Sequence, residues 1–149
     1  MMIGYKLLTA DGESLRTDGR IRYPLPRDGE PGEWIAVPGN GAYVAHTDDL
    51  MAGGAGPLAA ELECDDEISD TTPPTGVRTW RRVRILRCGR PQDIIPPTLL
   101  RIVADDGEHV HTDDSPPTLY LAGVIRQTGG YCRLYGQAQA HGQTGGYCR

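Results

Sequence analysis

The chain has 149 residues, enough for one domain with a real core or one domain with an ordered extension. Apolar residues make up 38%, Phe is absent, and Gly 20 and Pro 12 break the chain into short pieces, so strands and loops are expected with few helices. A formal net charge of −5 argues against general nucleic-acid binding, and no run of about 18 apolar residues is present to form a membrane-spanning helix.

Residues 3–8, IGYKLL, read as an opening strand that ends at the Asp11-Gly12 turn. The stretch MMIGYKLLTADGE, residues 1–13, has no basic region followed by a long apolar run, so no export signal is expected in it. Asp18-Gly19 is a second turn signal, and Pro24, Pro26, Pro31 and Pro38 punctuate the segment that follows. Residues 33–37 and 43–45 are short strand candidates. Thr47, followed by Asp48 and Asp49, is suited to cap a short helix near 47–52 that Gly53-Gly54 ends. Residues 57–64 read as a strand, 65–76 as an acidic loop, and 77–87 as the longest strand. Beyond Pro91, Pro96 and Pro97, residues 99–111 read as two strands joined at Asp106-Gly107, and 117–126 as one further strand.

The most informative local pattern is a contrast of charge. Glu61, Glu63, Asp65, Asp66, Glu67 and Asp70 form an acidic run; Arg78, Arg81, Arg82, Arg84, Arg87 and Arg90 form a basic one. An Arg stripe beside Trp80 would suit phosphates and stacked bases, with Arg78, Arg82 and Arg84 as contacts within 78–90. The two runs flank one loop, however, so they are placed to pair as an antiparallel hairpin whose facing ion pairs neutralise the stripe. Nucleic acid is therefore the disfavoured partner.

Four cysteines, Cys64, Cys88, Cys132 and Cys148, lack the C-x-x-C spacing of zinc or redox sites, which points to reduced thiols rather than a disulfide scaffold. His109 and His111 alternate on one strand face, and His109 to Asp114 resembles the first ligand motif of the metallo-β-lactamase fold, with Asp114 where that motif has His. Only His141 follows, so no metal or other cofactor is assigned. No phosphate-cradling Gly loop and no G-x-S-x-G elbow occurs, so no catalytic residue is assigned and a binder is favoured over an enzyme. His46-Thr-Asp-Asp49 recurs at 111–114, a short match in an Asp-rich chain. Gln127-Thr-Gly-Gly-Tyr-Cys-Arg133 recurs identically as Gln143 to Arg149. Such a Gly-rich duplication suits a projecting arm whose partner contacts are Tyr131, Arg133, Tyr147 and Arg149.

Residues 4–87 carry, in order, GYK, PLPRDGEPGEW, GAYVAHTDDL, LAAELE and RVRILR. That order is similar to an uncharacterised domain of actinobacterial phages and prophages. The matches are Pro31-Gly32-Glu33-Trp34, Gly41, Asp49 and Leu50; Tyr43 and Ala45 stand where the family has His and Cys. The resemblance implies a phage or mobile-element accessory protein, in the host cytoplasm or the virion, that works by binding a protein partner or by self-assembly. The layout also resembles ADP-ribosyltransferase folds, which implies Tyr43 as the aromatic and Glu61 or Glu63 as the acid of a degenerate enzyme; Tyr5-Lys6 departs from the expected first-strand motif.

The expected fold is α+β, mainly antiparallel β-sheet with one short helix and long Pro/Gly-rich loops. Residues 1–90 are expected to form a β-rich core domain, and 91–149 to add strands and the arm.

Overall fold

The computed structural model describes residues 1–16, 19–46, 57–69, 76–99, 101–116, 118–134, 138–140 and 147–148. The chain divides into two compact units, Met1–Ile95 and Pro96–Arg149. The fold is α+β, mainly antiparallel, with one short helix among the described residues.

The first unit contains β1 (Met2–Leu8), β2 (Glu13–Arg16), β3 (Gly19–Arg22), β4 (Ile35–Ala36), β5 (Ala42–Ala45), β6 (Leu58–Glu67), β7 (Val77–Gly89) and α1 (Pro91–Ile94). Strand β1 pairs with β5 and β6, β5 pairs with β7, and β7 pairs with β6, so four antiparallel strands close into a small barrel. Closure leaves no free edge within that ring. Strand β4 pairs with Arg82 and Val83 of β7, opposite β6 and beyond the stretch held by β5, and β2 and β3 form a separate hairpin. The interior holds Leu8, Tyr23, Val37, Val44, Leu62, Trp80, Val83 and Ile85. Aromatic rings from Tyr and Trp supply the bulk that Phe would otherwise provide.

Strands β6 and β7 alternate as a half-buried ribbon must, with Leu62, Cys64, Val83 and Ile85 inward. The pairing shifts by one residue between Glu61↔Arg87 and Leu62↔Ile85, leaving Leu86 as a bulge. The extra residue reverses the inside–outside parity of β7 beyond it. Asp65 to Glu67, expected in an acidic loop, extend β6, and the pairing runs out to Glu67↔Trp80. The helix expected near 47–52 lies outside the described residues. The helix that is described, α1, opens with Pro91 at its first position, where proline's missing N–H and fixed φ suit a helix start.

The second unit contains β8 (Arg101–Val103), β9 (Glu108–His111), β10 (Thr118–Tyr120), β11 (Val124–Gln127), β12 (Tyr131–Leu134), β13 (Gln139–Ala140) and β14 (Tyr147–Cys148). These strands are parallel and alternate between two sheets, β8-β10-β12-β14 and β9-β11-β13. Each coil of chain therefore lays one strand on each sheet, the arrangement of a β-solenoid. Two expectations change here. The single strand expected over 117–126 is instead two, Thr118–Tyr120 and Val124–Gln127, broken where Gly123 turns with φ 94 and its Cα lies too close to the Gly107 carbonyl for a Cβ. The segment read as a projecting arm enters the sheets, with Tyr131 opposite Tyr147 and Cys132 opposite Cys148. Tyr120, Ile125 and Cys132 form the interior cluster of this unit.

Candidate functional site

The outward faces of β6 and β7 carry the acidic and basic runs, and the register places them opposite each other: Glu61↔Arg87, Glu63↔Arg84, Asp65↔Arg82. Arg84 donates from Nε and Nη2 to Glu63 at 3.1 and 2.9 Å. Arg82 meets Asp65 at 3.0 Å. Arg87 grips both oxygens of Glu61 at 3.3 Å, and Tyr5 donates its hydroxyl to the same carboxylate at 3.0 Å. Arg87 reaches this row because the Leu86 bulge turns it outward. The Glu61 carboxylate also raises the pKa of Arg87, by hydrogen bond and by charge. The Tyr5 phenol is raised above its ordinary value by burial first and by Glu61 second.

Trp34 covers this row. Its ring centre lies 4.8 Å from the Arg82 guanidinium carbon and 4.9 Å from that of Arg84. Each of these two guanidinium groups is held between an aromatic face and a carboxylate, which suits Arg and would not suit Lys. Arg78 faces Glu67 at 3.5 Å, Arg81 donates to the Val37 and Gly39 carbonyls, and Arg90 pairs with Asp93 at 2.8 Å. The three residues of the nucleic-acid alternative, Arg78, Arg82 and Arg84, thus share one strand and each has an acidic partner. The acids considered for transferase chemistry, Glu61 and Glu63, are occupied by Arg87 and Arg84. The Tyr43 carbonyl accepts the buried Lys6 ammonium at 2.8 Å.

Next to Trp34, the Pro-rich segment forms a rigid excursion. Arg27 and Glu30 close a two-residue turn with reciprocal backbone bonds of 3.2 and 2.8 Å, and Asp28 and Gly29 both have positive φ, 54 and 76. This is the type I′ turn that Asp-Gly favours. The returning leg is fixed by the Gly32 N–H, which donates to the Ile85 carbonyl at 2.8 Å. A side chain at Gly32 would overlap the Pro24 carbonyl oxygen, so only glycine permits the two legs to lie this close. The excursion walls an open groove of 670 Å³ running along Arg22 to Arg27 and Glu30 to Glu33. Its lining combines Leu25, 38% exposed, with prolines and charges of both signs. Motif reading missed this groove because it saw Pro24, Pro26 and Pro31 only as breakers; the signal available was Asp28-Gly29 between two Pro-rich legs.

In the second unit His109 and His111 share a face but serve different partners. His109 Nε2 lies 2.8 Å from an Asp105 carboxylate oxygen. His111 is fully buried, and its Nδ1 lies 3.0 Å from the Tyr120 hydroxyl, to which Arg101 also donates at 3.0 Å. Burial raises the Tyr120 phenol above its ordinary pKa. The His111 contact binds one coil's strand to the next coil's core. Among the described residues no group of three or more His, Cys, Asp or Glu is brought together to hold a metal. The backbones of Tyr131, Arg133 and Tyr147 lie in β12 and β14, while Arg149 falls outside the described residues. No helix among the described residues is long and apolar enough to cross a membrane. Family models, curated proteins and solved structures contain no match to this chain.

Proposed function

We propose that this protein acts by binding another protein, and that the groove over residues 22–33 receives an extended peptide segment of the partner. The observation that carries this reading is the groove's construction. Its walls are held by prolines, a type I′ turn and the Gly32–Ile85 bond, so little ordering entropy is lost on binding. Leu25 offers an apolar contact, and Arg22, Arg27, Glu30 and Glu33 surround it with charges that could fix the orientation of a peptide. The neutralised arginine row supports a protein partner over a polyanion. The motif order over residues 4–87 supports placing this work in a phage or mobile element, as a virion, assembly or host-directed component.

The test is a photo-crosslinking residue placed at Leu25, with the same residue at exposed Ile3 as control, in lysate of the host cell. The expected result is a discrete adduct at position 25, suppressed by excess unlabelled wild type and not by Leu25→Asp. Equal adducts at both positions, or equal suppression by the Leu25→Asp protein, would overturn the reading.

A further inference from the structure

His46, immediately after β5, joins three parts of the barrel. Its backbone N–H donates to the Gly76 carbonyl at 2.8 Å. Its ring Nδ1 lies 2.9 Å from the Ile3 carbonyl oxygen on β1, and its Nε2 lies 2.9 Å from the indole nitrogen of Trp80 on β7. The chemistry of these partners fixes the proton. A carbonyl only accepts, so Nδ1 carries hydrogen; an indole N–H only donates, so Nε2 must be bare. The ring therefore fits both partners only as the neutral Nδ1–H tautomer. Gly4 makes room for it, since a Cβ there would clash with Val44 and with the His46 ring carbon. Trp80 is itself a core residue, 4% exposed, packed edge-on to His46 with ring centres 5.6 Å apart.

We propose that His46 is a proton-operated latch: neutral, it ties β1 to the Trp80 indole through its two ring nitrogens, and protonated, it keeps Ile3 and releases Trp80. A second proton on Nε2 would face the indole N–H, donor against donor, so the bond to β7 cannot survive protonation. Among the described residues, the charged groups facing His46 are Arg78 on β7 and Glu67 on β6, which are paired with each other at 3.5 Å and act on the ring in opposite senses. Burial is the largest influence and lowers the His46 pKa below its ordinary value. The latch is therefore closed at neutral pH and opens as the medium becomes acidic, freeing the side chain that fills this end of the barrel.

The experiment follows ¹⁵N-labelled full-length protein by NMR from about pH 8 down to about pH 5. Trp80 and Trp34 each give one indole N–H resonance, and Trp34 serves as an internal control because its ring contacts are Arg82 and Arg84. The expected result is a Trp80 indole shift that titrates with the same midpoint as the His46 ring protons, below the ordinary value of about 6.5, while Trp34 stays flat. His46→Gln removes the titrating ring while keeping an amide oxygen able to accept from the indole, so its Trp80 profile should be flat. Different midpoints for Trp80 and His46 in the wild type would overturn the proposal even if the variant failed to fold. A Trp80 titration that persists in folded His46→Gln would overturn it as well.

Discussion

Tyr131 and Tyr147 stand opposite each other on neighbouring parallel strands, and Cys132 stands opposite Cys148 in the same ladder. Within the identical segments 127–133 and 143–149, the Tyr-Cys pair is therefore one structural position visited twice, a coil apart. Repetition at that spacing is what a solenoid requires, because each coil buries its inner face only against its neighbours.

Removing residues 128–143 deletes one whole repeat and reconnects Gln127 to Thr144 in phase. This variant is expected to keep its β signal by circular dichroism and to retain slow amide exchange in β10, now paired with Tyr147–Cys148 in the place of β12. Removing only 135–142, about half a coil, shifts Tyr147 and Cys148 out of phase with their sheet and should abolish that protection. Equal behaviour of the two deletions would contradict the coil assignment.

A second prediction concerns Leu86. Because it is the bulged residue, Arg87 faces Glu61 outside the barrel while Cys88 packs against the core. Deleting Leu86 restores regular pairing and turns Arg87 inward and Cys88 outward. An unpaired guanidinium in the core is expected to cost at least about 2 kcal/mol in urea unfolding. Replacing Glu61 by Gln leaves the parity intact, removes one charge of a partly exposed pair and keeps an acceptor for the Tyr5 hydroxyl, so a loss within about 1 kcal/mol is expected. A deletion no more harmful than Glu61→Gln would show that the bulge does not set the side of Arg87.

The hairpin of β6 and β7 was legible from composition, because runs of opposite charge on either side of one loop have few other ways to neutralise each other. The bulge was not legible, since a single inserted residue leaves no mark in a charge pattern. The solenoid was missed for a related reason. Its strands are as short as Gln139–Ala140, and Asp106-Gly107, a strong hairpin signal, here connects strands of different sheets. Parallel pairing between coils joins residues such as Thr118 and Cys132 that no local pattern relates. His46 also left no trace, because its two ring partners lie 43 and 34 residues away and one is a backbone oxygen.

The arginine row yields a third prediction. Wild-type protein is expected to show no salt-dependent binding to a random duplex, because Glu61, Glu63 and Asp65 occupy Arg87, Arg84 and Arg82. The triple variant Glu61→Gln, Glu63→Gln, Asp65→Asn changes the net charge by three and leaves the guanidinium groups beside Trp34 without acids. Fluorescence anisotropy should then detect duplex binding whose affinity falls steeply with salt. Wild-type binding with a comparable salt slope would restore the polyanion reading of Arg78, Arg82 and Arg84.

Cys64 supports the last prediction. It is fully buried on β6, and burial pushes its thiol up to about 12, with Glu63 adding to the shift. The reactive species is the thiolate, so native Cys64 should resist a disulfide reagent at about pH 8 and react only on unfolding. Cys88, half-buried on β7 and raised by burial alone, should react earlier. The same shift fixes the alkaline limb of stability. The folded thiol holds its proton to higher pH than the unfolded one, so this contribution is complete below the unfolded pKa of about 8.5. It is then lost as pH rises through that value toward the folded pKa of about 12. Replacing Cys64 by Ala costs packing but removes the titrating group, so the variant should lose less stability than wild type on going from about pH 8 to about pH 10. An identical alkaline slope in the two proteins would mean that Cys64 does not titrate with unfolding.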